Sequence, residues 1–153
     1  MDTLSASVLR DRKPQIGIVL GSGLGALAER IEGAEALPYS DIPGFPVSTA
    51  PGHKGRFVFG TIGDKEVVLM DGRVHLYEGY TPQQVVMPIR LMRQMGIHTV
   101  LLTNASGGIR RDLHAGDLML LTDHISSLVP SPLRGENCLL YTSPSPRDGL
   151  LSR

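Results

Sequence analysis

Residues Gly72 to Tyr80 read GRVHLYEGY, directly after the apolar run EVVLM has broken at Asp71. Arg73, His75 and Tyr77 alternate with Val74 and Leu76. On an extended strand alternate side chains share a face, so the spacing predicts a guanidinium, an imidazole and a phenol side by side. The opposite face would carry only aliphatic packing. Such a surface offers a ligand fixed positive charge, a titratable donor and an aromatic hydroxyl at once.

Three other stretches could meet a ligand. Gly21, Ser22 and Gly23 lie between an apolar run and an amphipathic one, where a helix start leaves unpaired N–H groups and glycine lets a ligand approach the backbone. A phosphate suits that turn, although glycines there can equally serve packing alone. GSGLGA also fits the looser dinucleotide fingerprint, which needs a second strand ending in an acid ~20 residues later. Asp41 has the distance, but LPYSDIPGFP is a poor strand, so phosphate without a dinucleotide is the better expectation. A phosphate-binding P-loop is excluded, because no lysine follows the glycines at its spacing. His53, in PGHKGR, belongs to a loop, as either a ligand or a solvated side chain, and Lys54 and Arg56 beside it read equally as surface charge. TNASGG, from Thr103 to Gly108, offers backbone donors and Asn104, or is a simple turn. His98, His114 and His124 read as structural or surface residues. No histidine or carboxylate spacing supports a metal.

These stretches need elements to position them. QIGIVL (15–20) reads as a short buried strand and ALAERIEG as a helix closed by Gly33. FVFGTIG and KEVVLM read as a hairpin turning at Gly63 and Asp64. Thr81 is a good N-cap with Pro82 at the first helical position, Pro88 should interrupt that helix, and Gly96 should end it. HTVLLT reads as a further buried strand and GDLMLLTD as one more. Strands alternating with helices, with glycine-rich loops at strand ends, predict an α/β sheet with ligands at its carboxyl edge.

The chain has 153 residues, with Lys plus Arg and Asp plus Glu both at 15. That balance argues against a nucleic-acid or anionic-membrane partner. No apolar stretch approaches a membrane-spanning helix, and the first residues lack a secretory segment, so a cytoplasmic protein is expected. The single Cys138 excludes an internal disulfide. From Cys138 onward the order breaks: CLLYTSPSPRDGLLSR has no amphipathic period and resembles a translated transposon-type sequencing adapter. Residues 138–153 are therefore expected to be a non-native tail, with a natural Pro/Ser-rich tail as the alternative. Residues 1–137 would be the N-terminal part of a single domain.

In combination, GSGLG, PGHKGR, GRVHLYEGY and TNASGG resemble the purine nucleoside phosphorylases of the trimeric class, over about Ile16 to Asn137. The resemblance implies a mixed, largely parallel central sheet flanked by helices, here incomplete. It implies that Ser22, His53, Arg73, Val74, His75 and the backbone N–H of Ala105 bind phosphate. Tyr77 would pack beside the ribose, and Glu78 would work with His75 as the catalytic pair. The reaction implied is reversible phosphorolysis of a purine nucleoside, 6-oxopurine nucleosides being the expected substrates. Orthophosphate is the co-substrate, no cofactor or metal takes part, and the assembly is a homotrimer. The residues that read the base lie in the family's second half, so the chain alone is expected to be inactive. Methylthioadenosine phosphorylases, which carry a threonine in the first glycine turn and lack the YEGY context, are the second choice. A nucleotide-binding module without catalysis is the third.

Overall fold

The computed structural model describes residues 13–48 and 54–132. Its centre is the expected hairpin, in which β3 (Arg56–Ile62) and β4 (Lys65–Asp71) pair antiparallel around a turn at Gly63 and Asp64. Strand alternation sorts their side chains by face. Phe57, Phe59, Val68 and Met70 belong to one buried cluster, and Val58, Val67 and Leu69 to the other. A strand apolar on both faces needs cover on both. β1 (Ile16–Val19) lies parallel to β4, β5 (Thr99–Leu102) lies parallel to β1, and β2 (Glu32–Pro38) is antiparallel to β3. The resulting mixed sheet has the order β2-β3-β4-β1-β5, with its parallel part at the β4-β1-β5 end.

The first face is covered by α2 (Met87–Gln94), which buries Pro88 and Met92, and by an aromatic cluster. The Tyr39 ring centroid lies 4.8 Å from Phe45 and 5.0 Å from Phe57. A fully buried side chain of this size contributes roughly 1.5–3 kcal/mol through area removed from water. The second face is closed by Leu20, Ala28 and Ile31.

The helical hairpin follows its sequence signals. α1 (Pro82–Val85) is capped by Thr81, whose Oγ1 accepts from the Gln84 N–H at 3.3 Å while Gln84 Oε1 accepts from the Thr81 N–H at 2.9 Å. Val86 separates it from α2, leaving Pro88 in the first turn of the second helix, where its missing N–H breaks no helical bond. Past Gly96, the Ile97 N–H donates to the Met92 carbonyl at 3.1 Å, and Ile97 joins the core.

Four expectations are corrected. ALAERIEG is not an α-helix: Gly25–Glu29 form a short 3-10 turn, and the chain is already in β2 by Glu32. So short a segment cannot repay helix nucleation, whereas strand pairing brings Ile31 onto the core. HTVLLT does form β5, but as an edge strand with Leu102 71% exposed rather than as a buried one. GDLMLLTD forms no strand, and Leu118 is fully exposed; among the described residues no strand pairs with it. The run 72–80 is not extended either, as described below. Cys138 and the rest of the suspected tail lie outside the described residues.

Candidate anion-binding site at the carboxyl edge of the sheet

Because β1, β4 and β5 are parallel, their carboxyl ends share one edge. The register aligns Val19 with Met70 on one side and with Leu102 on the other, so the loops beginning at Leu20, Gly72 and Thr103 leave the sheet together. Their contact is direct. The Gly21 N–H donates to Thr103 Oγ1 at 2.8 Å, and that hydroxyl donates to the Val19 carbonyl at 2.7 Å. Arg73 Nη1 donates to the Thr103 carbonyl at 3.2 Å. Gly21 has to be glycine, since a Cβ there would stand 2.6 Å from the Thr103 carbonyl oxygen and 2.7 Å from Asn104 Cα. This close approach is the structural meaning of the first glycine in the turn.

Gly72 (φ +116°) ends β4 in a backbone conformation that side chains rarely adopt. The expected strand face of Arg73, His75 and Tyr77 is thereby replaced by an irregular stretch and a 3-10 turn at Leu76–Glu78. Two of the three side chains still meet: the His75 and Tyr77 rings stack with centroids 4.7 Å apart and planes 14° from parallel. Val74 is buried and pins the stretch to the domain, while Tyr77 is 77% exposed. Glu78 and His75 cap one another. Glu78 Oε1 accepts from the His75 N–H at 2.8 Å, and the Glu78 N–H donates to the His75 carbonyl at 3.1 Å. Ser48 Oγ donates to Glu78 Oε2 at 3.2 Å, and the Tyr80 hydroxyl donates to the Val47 carbonyl at 2.7 Å. The 45–48 segment is thus tied beneath the same turn.

Ser22 is exposed at the tip of the glycine turn. The α-helix expected after it is absent, so no helix dipole reinforces the turn. The Gly21 N–H is committed to Thr103, which leaves the Ser22 and Gly23 end of the turn for a ligand. Ala105 is exposed in the adjoining loop, where Asn104 Nδ2 donates to the Ala105 carbonyl at 3.2 Å. His53 lies outside the described residues.

Of the two cations read as surface charge, Arg56 is structural, while Lys54 pairs at the surface. Arg56 Nε donates to the buried Asp71 at 3.0 Å, and both Arg56 and Lys54 bond Glu29 Oε1. Burial opposes the Arg56 charge, but the bonds to Asp71 and Glu29 prevail and raise its pKa. The bonds from Lys54 and Arg56 hold the Glu29 carboxyl below its ordinary value. The Tyr39 hydroxyl donates to the Gly72 carbonyl at 2.9 Å, fixing the residue from which Arg73 departs. Sequence reasoning missed Tyr39, Tyr80 and the Thr103 hydroxyl. Only the position of Thr103 at the end of a strand hinted at its role. Among the described residues no three His, Cys, Asp or Glu side chains gather as a metal site, and no helix is long and apolar enough to cross a membrane.

A dinucleotide fold needs a parallel second strand near the first glycine turn. Here β2 is antiparallel and lies at the opposite edge of the sheet, and Asp41 sits in a 3-10 turn. The sequence profile of the phosphorylase superfamily matches residues 15–150. The chain belongs to the phosphorylase superfamily. Purine nucleoside phosphorylase 1 of Geobacillus stearothermophilus is 50% identical over 124 residues, covering 81% of this chain and 45% of the relative. Isoform 2 of purine nucleoside phosphorylase from Schistosoma mansoni, solved with cytosine and ribose-1-phosphate, has a TM-score of 0.64 and 46% identity over 72% of this chain and 39% of that one. A Schistosoma mansoni purine nucleoside phosphorylase solved with inosine has a TM-score of 0.63 and 40% identity, with 72% and 39% coverage. The chain spans less than half the length of these relatives.

Proposed function

We propose that this chain carries the phosphate- and ribose-binding half of a purine nucleoside phosphorylase site, and that the complete site acts on 6-oxopurine nucleosides such as inosine and guanosine. The observation that carries the reading is the meeting of the Gly21–Gly23 turn, Arg73 and the Thr103–Ala105 loop at one sheet edge, joined through Thr103. The identity to the Geobacillus enzyme and the likeness to a structure holding ribose-1-phosphate support it.

In this reading Arg73 grips two phosphate oxygens with its planar fork. Ser22, the Ala105 N–H, His53 and His75 supply further donors, and Val74 holds the backbone between Arg73 and His75. A phosphate oxygen attacks the anomeric carbon as the glycosidic C–N bond breaks. The bonding pair leaves with the purine, which takes up a proton, and ribose 1-phosphate remains. The transition state resembles an oxocarbenium ion, as at other glycosidic centres. Phosphate therefore serves as nucleophile and as the negative charge beside the developing cation, and positioning with electrostatics supplies the rate without cofactor or metal. Tyr77 flanks the ribose, and Glu78 sets His75 through its main-chain N–H. The working assembly is a homotrimer. Alone, the chain binds phosphate weakly and turns over nothing, because the base is read from the second half.

The test joins residues 1–137 to the C-terminal part of the Geobacillus enzyme and measures phosphate-dependent release of hypoxanthine from inosine. Release that requires phosphate supports the reading. Activity on adenosine with none on inosine would overturn the substrate class, and an inactive but folded hybrid would overturn the function.

A further inference from the structure

Thr103 directly follows β5, and its hydroxyl both donates and accepts. Its Oγ1 donates to the Val19 carbonyl at 2.7 Å and accepts from the Gly21 N–H at 2.8 Å. Its main-chain N–H donates to the same Val19 carbonyl at 3.2 Å, and its own carbonyl accepts from Arg73 Nη1 at 3.2 Å. One residue therefore touches the end of β1, the glycine turn and the arginine that follows β4. A hydroxyl brings one donor and acceptor capacity together, so valine, of the same shape, could make neither of the two side-chain bonds.

These bonds have a directional effect. The first N–H of the glycine turn is drawn back to Thr103, which leaves the donors farther along the turn, at Ser22 and Gly23, for a ligand. One Nη1 hydrogen of Arg73 is held on the Thr103 carbonyl, which restrains the fork at one nitrogen and leaves its remaining N–H groups for an anion. The approach at Gly21 is too close for any side chain, so a small shift at Thr103 is passed to the turn without slack.

We propose that Thr103 is a positioning residue: its hydroxyl sets the spacing between the Ser22 turn and Arg73 for a phosphate-sized oxyanion without touching that anion. The proposal rests on the phosphate-site reading above. Thr103→Val removes the hydroxyl and keeps the shape, and Thr103→Ser keeps the hydroxyl and removes the methyl. Inorganic phosphate is titrated into each protein by calorimetry, and hydrogen exchange at the Gly21 amide is read in parallel. The expected result is that Thr103→Val weakens phosphate binding roughly five- to tenfold, equivalent to the net worth of one hydrogen bond at the displaced turn, and speeds Gly21 exchange. Thr103→Ser should stay within about twofold of the parent, as its retained hydroxyl can still bond. Should Thr103→Val fail to fold, Thr103→Ala against Thr103→Ser makes the same comparison. Unchanged phosphate affinity in the folded valine or alanine variant overturns the proposal, as does a serine variant that behaves like it, which would assign the effect to methyl packing. Absence of phosphate binding by the parent chain overturns the phosphate reading itself and this inference with it.

Discussion

Tyr39→Phe removes a single oxygen and leaves the ring. Tyr39 is fully buried, and its ring contacts Phe45 and Phe57 in an arrangement that phenylalanine can keep. What goes is the hydroxyl's bond to the Gly72 carbonyl at 2.9 Å. Gly72 is itself buried, so its carbonyl loses this donor where water is scarce. Leaving a buried acceptor without its donor costs about 1–3 kcal/mol. At about 2–4 °C per kcal/mol for a chain of this size, the midpoint should fall by roughly 2–12 °C. A pH signature goes with it. Burial, aided by the charge of Asp71, pushes the Tyr39 pKa far above its ordinary 10.0. A raised folded-state pKa gives stability that is fully present below the unfolded value and is lost as pH rises through the alkaline range. The gap between parent and Tyr39→Phe should therefore be full at neutral pH and narrow above pH ~10. Urea unfolding followed by far-UV circular dichroism at both pH values measures this. A loss below about 0.3 kcal/mol at neutral pH, well under the cost of an orphaned acceptor, would refute the reasoning, as would a gap that widens in alkali.

Gly21→Ala places a Cβ 2.6 Å from the Thr103 carbonyl oxygen, so the two loops must part. Phosphate binding in calorimetry should fall by more than about tenfold, a 1.4 kcal/mol effect, and an unchanged affinity would contradict the close approach. In the enzyme joined to a C-terminal half, Arg73→Lys keeps the charge and loses the fork. It should cost about 1–3 kcal/mol in phosphate use with little change in nucleoside binding, and unchanged phosphate kinetics would remove Arg73 from the site. Glu29→Gln should lower stability at neutral pH. The carboxyl is held below its ordinary 4.5 by Lys54 and Arg56, so its stabilisation is present above that value and disappears as pH falls. The difference between parent and variant should shrink steadily as pH falls below 4.5, and a difference that does not shrink would show that charge is not the cause.

The hairpin was legible because Phe57, Phe59, Val68 and Met70 alternate with a second apolar set around a Gly-Asp turn, and each strand carries its own signal. The Thr81 cap, Pro82 and Pro88 likewise act locally, and both helices stand where they place them. Residues 26–33 mislead because a short amphipathic stretch looks helical until a strand partner is known, and β2 exists only through its pairing with β3. GRVHLYEGY alternates like a strand, yet the backbone turn at Gly72 and the mutual cap of His75 and Glu78 act against extension. The site's residue types were thus visible, but the bonds that bring their loops together were not. Thr103 joins residues more than eighty positions away in the chain, a distance over which no spacing rule speaks.

The central claim is that three loops at one sheet edge form a phosphate site. It is tested most directly by titrating inorganic phosphate into the 15N-labelled chain and mapping the shifts. The account predicts saturable changes centred on the Ser22, Gly23 and Ala105 amides and the Arg73 side chain, lost on Arg73→Ala. Shifts that never saturate, or that gather instead on the exposed Arg110 and Arg111, would contradict it.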